Sequence, residues 1–113
     1  MNKLKYFFFT YICGEILIAQ NSYKSYLFAL RNKDRFILGE KAISKDACCS
    51  YNYALDIIKG RFPEGEKIIS KSILYSYLYS RNIIEGRFIE GEEIILKSSH
   101  QFTYKRKFLK NQF

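Results

Sequence analysis

One spacing constrains this chain more than any other property. The motif Arg61-Phe62-Pro63-Glu64-Gly65-Glu66 recurs as Arg87-Phe88-Ile89-Glu90-Gly91-Glu92, and earlier as Arg35-Phe36-Ile37-Leu38-Gly39-Glu40. Both offsets (61 − 35 and 87 − 61) are 26 residues. A fixed period of this size is the signature of a stacked repeat, in which each unit is too small to bury its own apolar face and relies on its neighbours.

Aligned at this period, the units run over about 1–24, 25–50, 51–76 and 77–102, with a remnant at 103–113. Each complete unit has two apolar patches. The first covers residues 51–58 and 77–84; the second covers 66–69, 92–95 and 40–43. Gly60 and Gly86 end the first patch, where a helix often takes a left-handed residue. Pro63 stands where a second helix begins, at a position that tolerates a missing N–H. Glu64 and Glu90 then fall in a first turn, where the helix dipole favours an acid. The unit therefore reads as helix, glycine turn, helix, serine-rich turn.

A strand reading is weaker. Tyr75, Tyr77 and Tyr79 alternate with other residues, but Ile83 and Ile84 break the alternation, and Leu55 with Ile58 restores helical spacing. The leucine ladder of a leucine-rich repeat is absent. Short helices are not stable alone, so each hairpin must bury its stripe against the next. The expected fold is all-α: an α-solenoid of about four 26-residue hairpins in a single domain over 1–113, closed by a C-terminal capping helix around Tyr104–Lys110. Ala54 and Ser80, like Gly39, Gly65 and Gly91, are small enough to let helices approach closely.

The N-terminus admits two readings. Met1–Lys5 is basic and residues 6–13 are apolar, as in a secretory signal. Gly14 and Glu15 then interrupt the run, and a shift of 26 places Ile16 and Leu17 under Ala42 and Ile43. The fit to the repeat makes this a degenerate first unit. The run is also too short to span a bilayer, and no membrane role is expected.

The residues 57–66, Ile-Ile-Lys-Gly-Arg-Phe-Pro-Glu-Gly-Glu, preceded by the tyrosine-rich Tyr51-Asn52-Tyr53-Ala54, resemble a family of short helical-hairpin repeats. That family carries an Ile/Val-Ile-Lys-Gly-Arg-Phe/Trp-Pro-Glu-Ala/Gly-Glu signature and occurs in uncharacterised proteins of tailed bacteriophages, giant viruses and metagenomic sequences. The similarity is strong over 51–98 and fair over 25–50. It implies a viral or mobile-element origin, and brings no catalytic residue or cofactor. Ile37 and Ile89 depart from the pattern at Pro63, and Asp34 departs from it at Gly60 and Gly86.

Nineteen Lys and Arg against eleven Asp and Glu give a net charge of +8, which raises the question of an anionic partner. The excess sits in residues 23–47 and at the C-terminal end, where Lys105, Arg106, Lys107 and Lys110 have no acid among them. Arg35, Arg61 and Arg87 form a row that could meet phosphates, yet Glu40, Glu66 and Glu92 recur at the same offset, and matched opposite charges favour internal pairing. Phe36, Phe62 and Phe88 read as core plugs between helices. Tyr51, Tyr53, Tyr75, Tyr77 and Tyr79 are the interface candidates, because residues two apart lie on different faces of a helix and one stripe cannot bury all of them.

No residue set amounts to a reaction. Cys13, Cys48 and Cys49 lack a metal-ligand spacing and fit a reducing cytosol, and His100 is the only histidine. Gly60-x-x-x-x-Gly65 is followed by Glu66-Lys67, so it is not a phosphate-binding loop. The expectation is a non-enzymatic, cytoplasmic protein-binding module with no cofactor and no small-molecule substrate. If it is viral, its partner would be a host factor. The alternative is nucleic-acid binding through the basic C-terminal helix and the arginine row.

Overall fold

The structure, a computed structural model, describes residues 13–110. The basic start Met1–Lys5, residues 6–12 of the apolar run, and with them the choice between a leader and a degenerate unit lie outside the described residues. So do residues 111–113. Within the described residues every regular element is helical.

A helical segment over 13–18 precedes α1 (Ser22–Asn32). A 3₁₀ turn (Ile37–Gly39) leads into α2 (Glu40–Ile43), and α3 (Ala47–Tyr53), α4 (Pro63–Ile69), α5 (Ile73–Tyr79), α6 (Ile89–Leu96) and α7 (Gln101–Phe108) follow. Long and short helices alternate because α3 and α5 continue into single π-helical turns, Ala54–Ile58 and Ser80–Ile84. Asn21, Asp46 and Ser72 open the long helices, each side chain accepting the backbone N–H three residues on. Pro63 opens α4 at its first position, with Glu64 and Glu66 in the first turn, as its sequence implies.

The long helices do not end on glycine. Lys33, Lys59 and Glu85 hold the left-handed conformation, with φ of 55°, 58° and 56°, and no glycine has a positive φ. Gly60 and Gly86 are thus one residue past the place expected for them. Asp34 accordingly does no harm where they stand, because that position needs no glycine.

A one-residue difference between units explains the π turns. Asp34 N–H donates to the Ala29 carbonyl, five residues back, whereas Gly60 and Gly86 donate to Ala54 and Ser80, six residues back. The units 51–76 and 77–102 each hold one extra residue here. The widened turn absorbs it locally, so the exit of the chain is preserved. Through α1 and upstream of it the repeat offset is therefore 25: Ser25 Oγ donates to the Ile18 carbonyl as Ser50 donates to Ile43 and Ser76 to Ile69. Ile18, not Leu17, lies under Ile43, and Gly14-Glu15 fall under Gly39-Glu40.

Packing runs from each unit to the adjacent one. The long helix packs on the short helix that follows it, α1 on α3 and α3 on α5, α2 on α4 and α4 on α6, and α7 lies against α6. Close approach at one point per unit requires glycine: a Cβ on Gly39, Gly65 or Gly91 would lie 2.5, 2.7 or 2.5 Å from the hydroxyl of Ser25, Ser50 or Ser76. Those serines are fully buried and satisfied by the carbonyls just named. Phe36, Phe62 and Phe88, with Ile43, Ile69 and Ile95, fill the space between helices, as core plugs should.

Candidate functional site

The repeated motif closes on itself. Arg35 grips Glu40 with two parallel bonds of 2.8 Å, Nε to Oε2 and Nη2 to Oε1, and Arg61 grips Glu66 in the same way. Arg87 and Glu92 repeat the fork at 3.0 and 2.6 Å. A tyrosine from the following long helix completes each clamp. Tyr53 donates to Glu40 at 2.5 Å and accepts the Phe36 N–H at 3.0 Å; Tyr79 does the same for Glu66 and Phe62, and Tyr104 for Glu92 and Phe88. Each clamp ties one unit to the next through a satisfied network in which the tyrosine is buried and the arginine is exposed on its outer side, and its bonds are charge-assisted.

The electrostatics follow from this geometry. The bonds from Arg61, against the opposing effect of burial, hold the Glu66 carboxyl below the usual carboxylate range, with help from Tyr79. Glu92 is lowered in the same way by Arg87. At Glu40 burial is the larger influence and pushes upward, but the bonds from Arg35 and Tyr53 together outweigh it. Burial first, and then the carboxylate bond, raise the hydroxyls of Tyr53, Tyr79 and Tyr104. The arginine row is thus not a row of free guanidiniums, and the phosphate reading of Arg35, Arg61 and Arg87 gives way to internal pairing.

The tyrosine surface expected from sequence is also largely interior. Tyr51, Tyr53, Tyr77 and Tyr79 are buried and Tyr75 is half-buried. The argument from a single stripe fails because α5 is packed on several sides, against α3, α4 and α6. Tyr51 accepts a bond from Asn82 and sets its ring 5.6 Å from that of Tyr75, while Tyr77 stacks on His100 at 4.4 Å.

One open surface lies toward each end of the described residues. The first is a cleft of about 490 Å³ between residues 16–20 and α2, lined by Ile16, Ala19, Gln20, Leu38, Lys41, Ala42 and Lys45. Leu38 is 57 % exposed at a position where the other units carry exposed Glu64 and Glu90. Lys41 and Lys45 rim the cleft with no ion pair among the described residues, and Lys67 and Lys71 continue them onto α4 and the turn after it. In the unit 77–102 the pattern stops, since Glu93 replaces the first lysine and pairs with Lys97 at 3.0 Å. This lysine row was open to sequence reading, because Lys45, Lys71 and Lys97 share the 26-residue offset. The second surface is the outer face of α7, with Phe102, Lys105, Arg106, Leu109 and Lys110 around a cleft of about 440 Å³. Lys107 is exposed on the same helix but does not line that cleft.

Among the described residues no group of three His, Cys, Asp or Glu could hold a metal ion, and no helix is long and apolar enough to cross a membrane. Burial, and then a bond to Asp46, push the Cys49 thiol up to about 12, away from reactive thiolate character. Comparison with family models, with curated proteins and with solved structures found no match to this chain.

Proposed function

We propose that the chain is an α-solenoid of about four helical hairpins closed by α7, and that it is a non-enzymatic protein-binding module. Its site is the cleft between residues 16–20 and α2, and its partner is a protein segment that combines acidic residues with one or two aliphatic anchors. The observation that carries this reading is Leu38. At the repeat position where Glu64 and Glu90 keep the surface polar, this one unit exposes an apolar side chain in a cleft that Lys41 and Lys45 also line. A departure from the repeat that leaves a leucine in water is not explained by stacking, because the other units stack with Glu64 or Glu90 at this position. Apolar anchors in a groove with a charged rim fit the way protein interfaces divide their work.

Support against an enzyme comes from the buried ionisable groups, which are closed into Arg–Glu–Tyr clamps and face one another rather than a cleft. The resemblance of residues 51–98 to viral hairpin repeats supports a host protein as partner and the host cytoplasm as the place of action. Peptide display on the folded protein tests the proposal. Selection should enrich acidic sequences with Leu, Ile or Phe anchors, and a Lys41→Glu/Lys45→Glu variant should lose them. Enrichment of basic or featureless sequences, or equal enrichment on the variant, would overturn it.

A further inference from the structure

The last long helix differs from the others at two positions that matter only at its outer face. Because Tyr104 takes the clamp position of Tyr53 and Tyr79, Phe102 corresponds to Tyr26, Tyr51 and Tyr77, and Lys105 corresponds to Ala29, Ala54 and Ser80. In the other units the aromatic position is engaged by the next one: Tyr26 donates to Asp56, Tyr51 accepts from Asn82, and Tyr77 stacks on His100. Phe102 is 73 % exposed instead.

A further hairpin, or a second copy of the chain, does not explain this ring. Ala29, Ala54 and Ser80 are fully buried where successive long helices pack. Lys105 at the same position would bring its ammonium into that contact, and burying a charge there is strongly unfavourable. The face is thus shaped against continued stacking, yet it presents an aromatic ring. Arg106 lies one turn from Phe102, with Lys110 beyond it, and both are exposed and have no acidic partner among the described residues. No Asp or Glu occurs after Glu93.

An exposed ring flanked by cations is the combination that single-stranded nucleic acid uses, with bases on the ring and phosphates on the basic groups. A bilayer surface asks for a broad apolar stripe, and here Leu109 is buried while Phe108 turns inward onto Tyr104 at 5.3 Å. We propose that the outer face of α7 binds single-stranded nucleic acid without sequence preference, one base stacking on Phe102 and adjacent phosphates meeting Arg106 and Lys110. This site is separate from the Leu38 cleft.

Fluorescence anisotropy with labelled twenty-nucleotide oligo(dT) and the full chain tests it. Binding at 50 mM salt should weaken with a log–log slope of about −1.4 if two phosphates are met. Phe102→Ala should weaken binding about ten-fold, within the range for loss of one stacked base. Arg106→Glu/Lys110→Glu should remove it, while Lys41→Glu/Lys45→Glu should leave most of it intact. All of these side chains are exposed, so unchanged thermal melts would show that folding is not the cause. The proposal is overturned by absence of binding at 50 mM salt, by an unchanged affinity in Phe102→Ala, or by equal loss in the Lys41/Lys45 variant. It is equally overturned if phosphatidylserine vesicles or a polyglutamate peptide bind this face and oligo(dT) does not, or if Phe102→Ala abolishes self-association instead.

Discussion

The hydroxyl of Tyr79 does two jobs at once, accepting the Phe62 N–H at 2.8 Å and donating to Glu66 at 2.6 Å. Tyr79→Phe keeps the ring packed on Phe88 but leaves a buried N–H without an acceptor and a carboxylate with one donor fewer. We expect a loss of about 2 kcal/mol in urea unfolding, the range for an unsatisfied buried group beside a charged acceptor. A loss below a few tenths would mean that water replaces the hydroxyl. The same clamps set the pH range of stability. Glu40, Glu66 and Glu92 are held below their unfolded values, so their contribution is complete above the ordinary carboxylate pKa of about 4.3 and is lost as pH falls further. Tyr53, Tyr79 and Tyr104 are raised, so theirs is complete below the ordinary tyrosine value of about 10 and is lost as pH rises beyond it. Stability should form a plateau between these limits, and Glu66→Gln should flatten both slopes; unchanged slopes in that variant would remove the clamp from the account. The Arg–Glu pairing was legible in the sequence, because opposite charges shared one offset. The tyrosine arm was not, since the distance from Glu to Tyr, 13 residues twice and then 12, joins two units and shows only when the helices are placed.

Among the elements, two glycines five residues apart in sequence have opposite roles. Gly65 lies in α4 where a Cβ would meet Ser50 Oγ and Phe62 Cδ2, each at 2.7 Å, and the backbone of α3 cannot retreat without disturbing the Ser50 bond to Ile43. Gly60 has nothing within 4 Å of its virtual Cβ and no positive φ. Gly65→Ala should therefore destabilise by about 1–3 kcal/mol through overpacking. Gly60→Ala should be neutral or stabilise by up to about 1 kcal/mol through the unfolded chain. Paired thermal melts decide between them, and a large loss at Gly60 would show that the loop needs glycine after all. From sequence the roles look reversed: a glycine after an apolar patch marks a helix end, and one inside the next patch has no evident reason. Local pattern cannot show that Lys33, Lys59 and Glu85 take the left-handed turn. Nor can it show that the unit 25–50 is one residue shorter at this turn, because the π turns of the next two units conceal the insertion.

Across the whole molecule, joints between units are built alike except at the start. The joint from α2 to α3 has Arg35, Glu40 and Tyr53, and the next two repeat it with Arg61, Glu66, Tyr79 and Arg87, Glu92, Tyr104. At the first joint Glu15 keeps its place in the register, but the position of Arg35 holds Thr10 in the sequence, and the position of Tyr53 holds Phe28. Phe28 packs its ring on Phe36 at 4.5 Å, as Tyr53 packs on Phe62 at 5.1 Å, but that contact lies inside the unit, and without a hydroxyl Phe28 cannot donate to Glu15 as Tyr53 donates to Glu40. Among the described residues, the side-chain bond across that joint runs from Ser25 to the Ile18 carbonyl at 3.0 Å. In a stack held by nearest-neighbour contacts, stability is set joint by joint, and the weakest joint opens first. The segment 13–19 should thus exchange its amide hydrogens fastest among the described helices, and α3 and α5, whose units are each clamped to both neighbours, slowest. Glu66→Ala should create a second weak joint, so that α5 to α7 exchange as a group faster than α1 to α3. Because the proposed peptide cleft spans the first joint, its ligand should slow exchange at 13–19 more than elsewhere. Oligo(dT) on α7 should leave that segment unchanged. Uniform exchange along the chain, or protection of both ends by either ligand, would mean that the units act as one cooperative block and that their joints do not set local stability.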